Sequence, residues 1–515
     1  MFGMRGFRRQ TIGLAAGLVA FVAVLALPSP AGMEPIAQKT AAVAVLMICW
    51  WISEAVHIAV TALLPVVLFP LLGVESSRVV SAHYANHLIF LFIGGFVIAN
   101  AMEAWNLHRR IALTTIARFG SRPQPLVFGF MVTTAVLSMW ISNTATTMML
   151  LPMAMAVVNQ LSDRAEIRGA RPGADVTGLA RNAFGCVLLL GIAYSASIGG
   201  IGTIVGSPTT VAFLGFASET YPDLATIGFV QWSMVCLPIV AVFVPLTWLY
   251  LCRFGSTISL ARIRFASSQS VIRRELAALG PISTPEKRVL AVAGSTGLLW
   301  IFRAPLELGG FFVPGWSQVF PIPGMVHDST VAMAMAVLLF LLPSGRANGD
   351  RHGERLLQWK RAALGMPWGI VFLLGGGFAL ASGISESGLA GWIGSGLATM
   401  QGVPGWVLVL AICLLTTTMT ETTSNVATVL MLSPAVAAMA SEVGVHPYLL
   451  LIPMAVTSSF AFTMPVATPP NAIIFSSGWI TMPQMFRAGI VLDAVGVLIV
   501  PPTAYLLGAR LFGFG

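Results

Sequence analysis

Long apolar runs follow one another along almost the whole chain, and two of them carry a polar cluster at their centre. Runs at 11–27, 40–52, 57–73, 86–104, 184–216, 231–251, 290–308, 328–343, 368–384, 448–478 and 486–510 predict about eleven membrane-spanning helices. Two further apolar segments, 125–158 and 404–439, are interrupted by Ser142-Asn143-Thr144 and by Ser424-Asn425-Val426. Amides and hydroxyls placed in hydrocarbon need protein, water, an ion or a substrate to satisfy them. Arg118 and Arg122 precede the first of these segments, and Arg164, Arg168 and Arg171 follow it. Both its ends then lie on one side of the membrane, and arms of about sixteen residues are short for a crossing. The pattern predicts a re-entrant hairpin with Ser142-Asn143-Thr144 at its tip, and a second with Ser424-Asn425-Val426.

The two halves repeat each other. The polar clusters are 282 positions apart, and so are Gly94-Gly95-Phe96 and Gly376-Gly377-Phe378. A third pair follows each hairpin: Gly206-Ser207-Pro208-Thr209-Thr210 and Ala467-Thr468-Pro469-Pro470-Asn471, 261 positions apart. The hydrophilic loop 159–183 accounts for the extra length in the first half. The expected organisation is an N-terminal span and external linker (1–39), then a first repeat (40–251) with scaffold helices 40–124, hairpin 125–158 and broken helix 184–216. A cytoplasmic connector (252–289) leads to the second repeat (290–515), with scaffold helices 290–403, hairpin 404–439, broken helix 448–478 and last span 486–510.

Composition and charge sharpen the reading. Of 515 residues 57% are hydrophobic and 9% charged, with mean hydropathy +0.86, whereas a soluble domain carries about 25% charged residues. The chain is therefore read as an all-α polytopic membrane protein. Of its 28 Lys and Arg residues, 24 fall in 1–10, 105–124, 159–183, 252–289, 344–367 and 479–487. The positive-inside rule makes these segments cytoplasmic. The N-terminus is then cytoplasmic, the C-terminus external, and the two repeats inverted, with a site near the midplane at their interface. Arg5, Arg8 and Arg9 before an apolar run and Pro28-Ser29-Pro30-Ala31 give residues 1–30 the look of a signal peptide. They are read as an uncleaved first span, which supplies the odd crossing. Residues 106–119 read as an amphipathic helix at the inner surface. The basic loops lack aromatic interleaving, so the net charge of +9 reports topology rather than nucleic acid. The five cysteines have no metal-ligand spacing.

The candidate chemistry is that of a carrier. A proline after a helix break frees carbonyls. With hydroxyls these are hard oxygen ligands for a small cation, while helix N-termini suit an anion. Side by side they make a site for an anion with sodium. Glu54, Glu103, Glu421 and Asp493 are the main acids in or near apolar segments. Glu421, beside Thr420, is the best coupling candidate, with a hydrogen-bonded helix end as the plainer reading. Glu54 is expected to be structurally paired. His57 and His87 lack ligand partners at useful spacing. No phosphate loop, His-Glu-x-x-His or Gly-x-Ser-x-Gly is present, so an enzyme or nucleotide-driven pump is not indicated. No organic cofactor is expected.

The segments WWISEAVHIAVTALLPVVLFPLLGV (50–74), SMWISNTATTMMLLP (138–152), SASIGGIGTIVGSP (195–208), TETTSNVAT (420–428) and SSFAFTMPVATPPNAIIF (458–475) resemble the divalent anion/sodium symporter (DASS) family over nearly the whole chain. The resemblance implies a homodimer in the inner membrane, with a fixed scaffold and a transport domain that moves elevator-fashion. It implies that Na+ is the co-transported ion and a C4-dicarboxylate such as succinate the cargo. A sulfate or tricarboxylate symporter and a sodium-independent dicarboxylate exchanger are the alternatives. By motif, substrate would meet Ser142, Asn143, Thr144, Ser424, Asn425 and Val426, with Pro208, Thr468 and Pro469 shaping the site. One sodium would use Ser138, Ser142, Asn143 and backbone at Gly199 and Gly202; the other Thr420, Ser424, Asn425 and backbone at Ala461 and Ala467. Two departures stand out. Val426 replaces a Thr of the pattern, and Thr209-Thr210 replace a Pro-Asn pair.

Overall fold

The computed structural model describes residues 2–120, 122–162, 165–167, 176–224, 226–256, 258–265, 269–308, 311–345, 354–396 and 402–512. Parts of the expected cytoplasmic loops, 163–164, 168–175, 266–268 and 346–353, lie outside them. The described chain is mostly helical. Seven of its helices are long and apolar enough to cross a bilayer: Pro35–Ser53, Ser77–Ala104, Thr177–Gly200, Phe229–Phe254, Trp368–Glu386, Asn425–Val443 and Met482–Phe512. Shorter apolar helices include Gln10–Ala26, Pro123–Ser138, Asp328–Leu341, Gly405–Thr420 and Pro447–Thr457.

The apolar pattern locates the helices, and local chemistry ends them. Pro123 opens Pro123–Ser138 at its first turn, where a missing N–H has no consequence. Gly444, at φ 74°, stops Asn425–Val443 in the left-handed conformation that glycine adopts without strain. Ser283 and Glu286 form a capping box at the start of Thr284–Ile301. The run 57–73, expected as one crossing, divides into Ile58–Thr61 and Leu64–Leu72, with Pro65 just inside the second piece. The run 290–308 ends as a helix at Ile301, and Leu306–Leu308 pairs antiparallel with Phe311–Val313.

The connector 252–289 is more than a solvated link. Ile263–Phe265 pairs antiparallel with Ala165–Ile167 of the first half. Arg109 meets Glu275 at 2.5 Å, and Arg110 meets Glu286 at 2.7 Å. The expected amphipathic stretch, observed as Leu107–Ile116 followed by a short 3-10 turn, is thereby tied to the connector. Glu54 is unlike its expectation. It is exposed, in a left-handed backbone conformation at the end of Pro35–Ser53, with no ion pair among the described residues.

Packing identifies the centre. The most apolar stretch of Thr177–Gly200 is buried throughout, whereas Met482–Phe512 is buried over only a third of its own. Val176–Gly200 packs against both Pro123–Ser138 and Asn143–Ser162. Pro447–Thr457 packs likewise against Gly405–Thr420 and Asn425–Val443. The segments after the breaks cross over: Pro469–Ser476 packs on Asn143–Ser162, and Pro208–Thr220 on Asn425–Val443. Each helix pair is thus held by the broken helix of its own half and by the far piece of the other.

The Gly-Gly-Phe pair serves this packing. A Cβ on Gly94 would lie 2.7 Å from the Ala332 backbone, and one on Gly376 2.1 Å from the Ala62 carbonyl oxygen. The next glycines face the central elements, Gly95 toward Val205 and Gly377 toward Leu430.

Candidate functional site

Both polar clusters sit in tight turns between two helices. In the first, Pro123–Ser138 ends and Asn143–Ser162 begins; in the second, Gly405–Thr420 ends and Asn425–Val443 begins. The first arms have 16 residues each, but the second arms have 20 and 19. Shortness therefore argues for re-entry only in the first arms.

Serine sets the start of each second arm. The Ser142 carbonyl accepts from Thr146 N–H at 3.0 Å, and the Ser424 carbonyl from Thr428 N–H at 2.8 Å. Ser142 Oγ also accepts from Ala145 N–H at 3.2 Å. Ser142, Asn143, Thr144, Ser424 and Asn425 are half-buried, while Val426 is buried. The tips thus present hydroxyls, amides and the free N–H groups of a helix start, a combination that suits an anion.

Behind each tip lies a buried knot of oxygen atoms. The Ser138 hydroxyl contacts both Asn143 Oδ1 and the Ala196 carbonyl, the latter at 2.7 Å. The Thr420 hydroxyl contacts Asn425 Oδ1 at 2.8 Å and the Ser458 carbonyl at 2.6 Å. One hydroxyl has one proton and cannot fully satisfy two acceptors. Three hard oxygens so arranged, without a nearby positive side chain on either helix pair, are suited to a small cation such as sodium.

Glycines let the first break approach this closely. A Cβ on Gly200 would lie 2.6 Å from Asn143 Oδ1, and one on Gly199 2.3 Å from the Ala135 carbonyl oxygen. The Thr203 hydroxyl donates to the Met139 carbonyl at 2.5 Å and fastens the break to the turn. In the second break Asn471 Nδ2 donates to the Ala461 and Met464 carbonyls at 2.9 and 3.0 Å. Its Oδ1 is buried without a hydrogen-bond partner, leaving an acceptor free beside the break. Thr468 Oγ1 accepts from Asn471 N–H at 3.4 Å.

Glu421 takes the plainer of its two readings. Its Oε1 accepts from Thr463 N–H at 2.9 Å and its Oε2 from Met464 N–H at 3.1 Å. It braces the second break through backbone amides. Glu421→Ala would leave two amides unsatisfied, each worth about 1–3 kcal/mol when buried. A lower thermal unfolding temperature is expected even without sodium, with a milder loss for Glu421→Gln. A Glu421→Ala protein of unchanged stability that has lost sodium coupling would instead assign the carboxylate to the ion.

Other sequence candidates fall elsewhere. His57 Nδ1 accepts from Ala59 N–H at the start of Ile58–Thr61, and His87 lies near His327 with ring centres 4.9 Å apart and the planes tilted by 43°. Among the described residues no group of three or more His, Cys, Asp or Glu is placed to hold a metal ion. Gly202 N–H bonds the Gly199 carbonyl, and Ala467 N–H the Met464 carbonyl at 3.3 Å. Pro208 and Pro469 open the helices after the breaks, and Pro469 is exposed. The carbonyls met by the two cluster hydroxyls belong to Ala196 and Ser458, upstream of the positions that the motif singles out. A backbone carbonyl carries no side-chain signature, so the sequence did not single them out. A second feature, the contact of Ser207 and Thr209 with Ser459, was also not foreseen.

Enclosed broken helices, crossed helix pairs and a half-buried polar site define a polytopic membrane protein of the transporter class. The chain belongs to the family described as the sodium:sulfate symporter transmembrane region, which matches residues 8–513. It is 36% identical over 504 residues to the sodium-dependent dicarboxylate transporter SdcS of Staphylococcus saprophyticus, covering 98% of this chain and 92% of that protein. Identity to SdcS of Staphylococcus aureus is 37% over 498 residues, covering 97% and 91%. The fold is shared with the Neisseria gonorrhoeae MtrF structure at TM-score 0.56 and 12% identity, covering 99% of this chain and 95% of that one. It is also shared with the Alcanivorax borkumensis YdaH transporter at TM-score 0.51 and 13% identity, covering 84% and 88%.

Proposed function

We propose that the protein carries a C4-dicarboxylate such as succinate into the cell together with sodium ions. The observation that carries this reading is the pair of buried oxygen knots, Ser138–Asn143–Ala196 and Thr420–Asn425–Ser458, behind two anion-suited tips. No Lys or Arg occurs on the four helices that form the tips. The charge of a dianion must then be offset by co-bound cations, and this couples binding of the two species. The name shared by the SdcS relatives supports both the ion and the cargo.

Ser138, Ser142 and Asn143, with backbone at Ala196 and Gly199–Gly202, would hold one sodium. Thr420, Ser424 and Asn425, with backbone at Ser458 and Ala461–Ala467, would hold the other. Substrate carboxylates would meet Ser142, Asn143, Thr144, Ser424 and Asn425. Val426 supplies no hydroxyl, so the two tips offer unequal donor sets. In this reading the tips belong to re-entrant hairpins of two inverted repeats, with the N-terminus cytoplasmic and the C-terminus external. The protein is a homodimer whose central elements move as an elevator against a fixed scaffold.

In proteoliposomes an inward sodium gradient is expected to drive succinate uptake, and replacing sodium by choline to abolish it. Two sodium ions balance a dianion, so membrane potential is expected to drive uptake only where a further cation enters, each net charge then gaining about 2.3 kcal/mol per 100 mV. Equal uptake in choline and sodium contradicts the reading. Sulfate is the second cargo to test, because the family description names it; sodium-driven uptake of labelled sulfate that excess succinate does not inhibit would reassign the substrate.

A further inference from the structure

We propose that a buried hydroxyl bridge formed by Ser207, Thr209 and Ser459 couples the two sodium sites, with Thr209 as its positioning residue. This inference rests on the sodium reading above. Ser207 Oγ lies 2.6 Å from Thr209 Oγ1, Thr209 Oγ1 2.8 Å from Ser459 Oγ, and Ser207 Oγ 3.5 Å from Ser459 Oγ. All three residues are almost fully buried, at 4%, 1% and 2% exposure. Ser207 ends the first break, Thr209 lies in the first turn of the helix that follows it, and Ser459 belongs to the second break, so the bridge joins the two halves directly.

Its ends adjoin both oxygen knots. Ser459 follows Ser458, whose carbonyl accepts from Thr420 Oγ1. Ser207 follows Gly206, which packs so tightly that a Cβ there would lie 2.5 Å from the Gly200 carbonyl oxygen and 2.8 Å from that of Ser138. An ion that orders one knot fixes the neighbouring backbone and, through the bridge, narrows the freedom of the other break. A second ion then meets a partly ordered site, and the two bind cooperatively. Thr209 stands where the family resemblance led to an expectation of proline, a residue with no hydroxyl, so the bridge is a property of this chain. The neighbouring Thr210 supplies an internal control. It too is buried, but its hydroxyl has no hydrogen-bond partner.

The test is a sodium titration of tryptophan fluorescence on the purified full chain. Choline keeps ionic strength constant and no dicarboxylate is present, so substrate cannot supply the coupling. Wild type is expected to respond sigmoidally, with a Hill coefficient approaching about two, the limit for two coupled sites. Thr209→Val removes only the hydroxyl and is expected to lower the coefficient toward one. Thr209→Ser restores it, and Thr210→Val leaves it as in wild type. A hyperbolic wild-type response, or a Thr209→Val slope equal to that of wild type, overturns the bridge alone. A wild-type protein that neither responds to sodium nor needs it for uptake overturns the sodium reading, and the bridge with it.

Discussion

Asn143→Ala and Asn425→Ala are each expected to abolish sodium-driven uptake while leaving a folded protein. Each asparagine supplies the side-chain oxygen that meets the hydroxyl of its knot, Ser138 in one case and Thr420 in the other. Losing one hydrogen bond or ligand to a charged group removes about 1.5–3 kcal/mol, roughly a tenfold to hundredfold loss of affinity. In the proposed mechanism dianion and cations bind together, so losing either ion site also weakens substrate binding. The check has two parts. Uptake should fall to the level of empty liposomes, and each variant should elute as wild type does from size exclusion. Sodium stabilises only what binds it, by about 2.7 kcal/mol at a hundred times Kd. Each variant should therefore lose part of the sodium-dependent rise in unfolding temperature. Wild-type uptake in either variant would make the repeated motif structural.

Gly206→Ala is expected to have the next largest effect, for a steric reason. Its new Cβ would fall 2.5 Å from the Gly200 carbonyl oxygen, 2.8 Å from that of Ser138 and 3.0 Å from the Met139 Cα. All three are backbone atoms and none can swing aside. Overpacking of this kind costs about 1–3 kcal/mol, and here it pushes apart the turn and the break that frame the first knot. Uptake should be lost and the sodium needed for half-maximal stabilisation should rise. Gly391→Ala is the matched control, since nothing lies within 4 Å of a Cβ there. Full activity of Gly206→Ala would mean that the first break does not need this close approach.

Much of the candidate site was legible because its motif repeats. Ser142-Asn143 and Ser424-Asn425 differ from their lipid-suited surroundings, and their equal spacing with the Gly-Gly-Phe pair marks two related halves. The structure gives both copies the same local form, with hydroxyl, amide oxygen and broken-helix carbonyl brought together. Ala196 and Ser458 escaped notice because a backbone carbonyl is available at every residue; only the fold selects which ones face a hydroxyl. The contact of Thr209 with Ser459 was hidden for another reason. As a departure from a motif Thr209 looked like a loss, and Ser459 lies 250 positions away. Glu421 shows the opposite case. A carboxylate in an apolar stretch invites a coupling role, yet two amides of the second break, from a segment 42 and 43 positions further on, already occupy it.

Helix boundaries were less legible than helix existence. The run 57–73 is apolar throughout, so hydropathy alone could not divide Ile58–Thr61 from Leu64–Leu72. The pairing of Ala165–Ile167 with Ile263–Phe265 joins two loops that looked only basic and solvated. Strands of three residues are too short to leave a periodic signature.

The central claim is that the two oxygen knots hold sodium while the tips between them hold the dianion. Structure determination of the purified protein in sodium and succinate, paired with the same protein in choline and succinate, tests it most directly. The account expects two cation densities in sodium, one among Ser138, Asn143 and the Ala196–Gly202 backbone and one among Thr420, Asn425 and the Ser458–Ala467 backbone. Succinate density should touch both Ser142-Asn143 and Ser424-Asn425, and all three densities should be absent in choline. Succinate bound at the same tips in choline, or bound elsewhere with both knots empty in sodium, would contradict it.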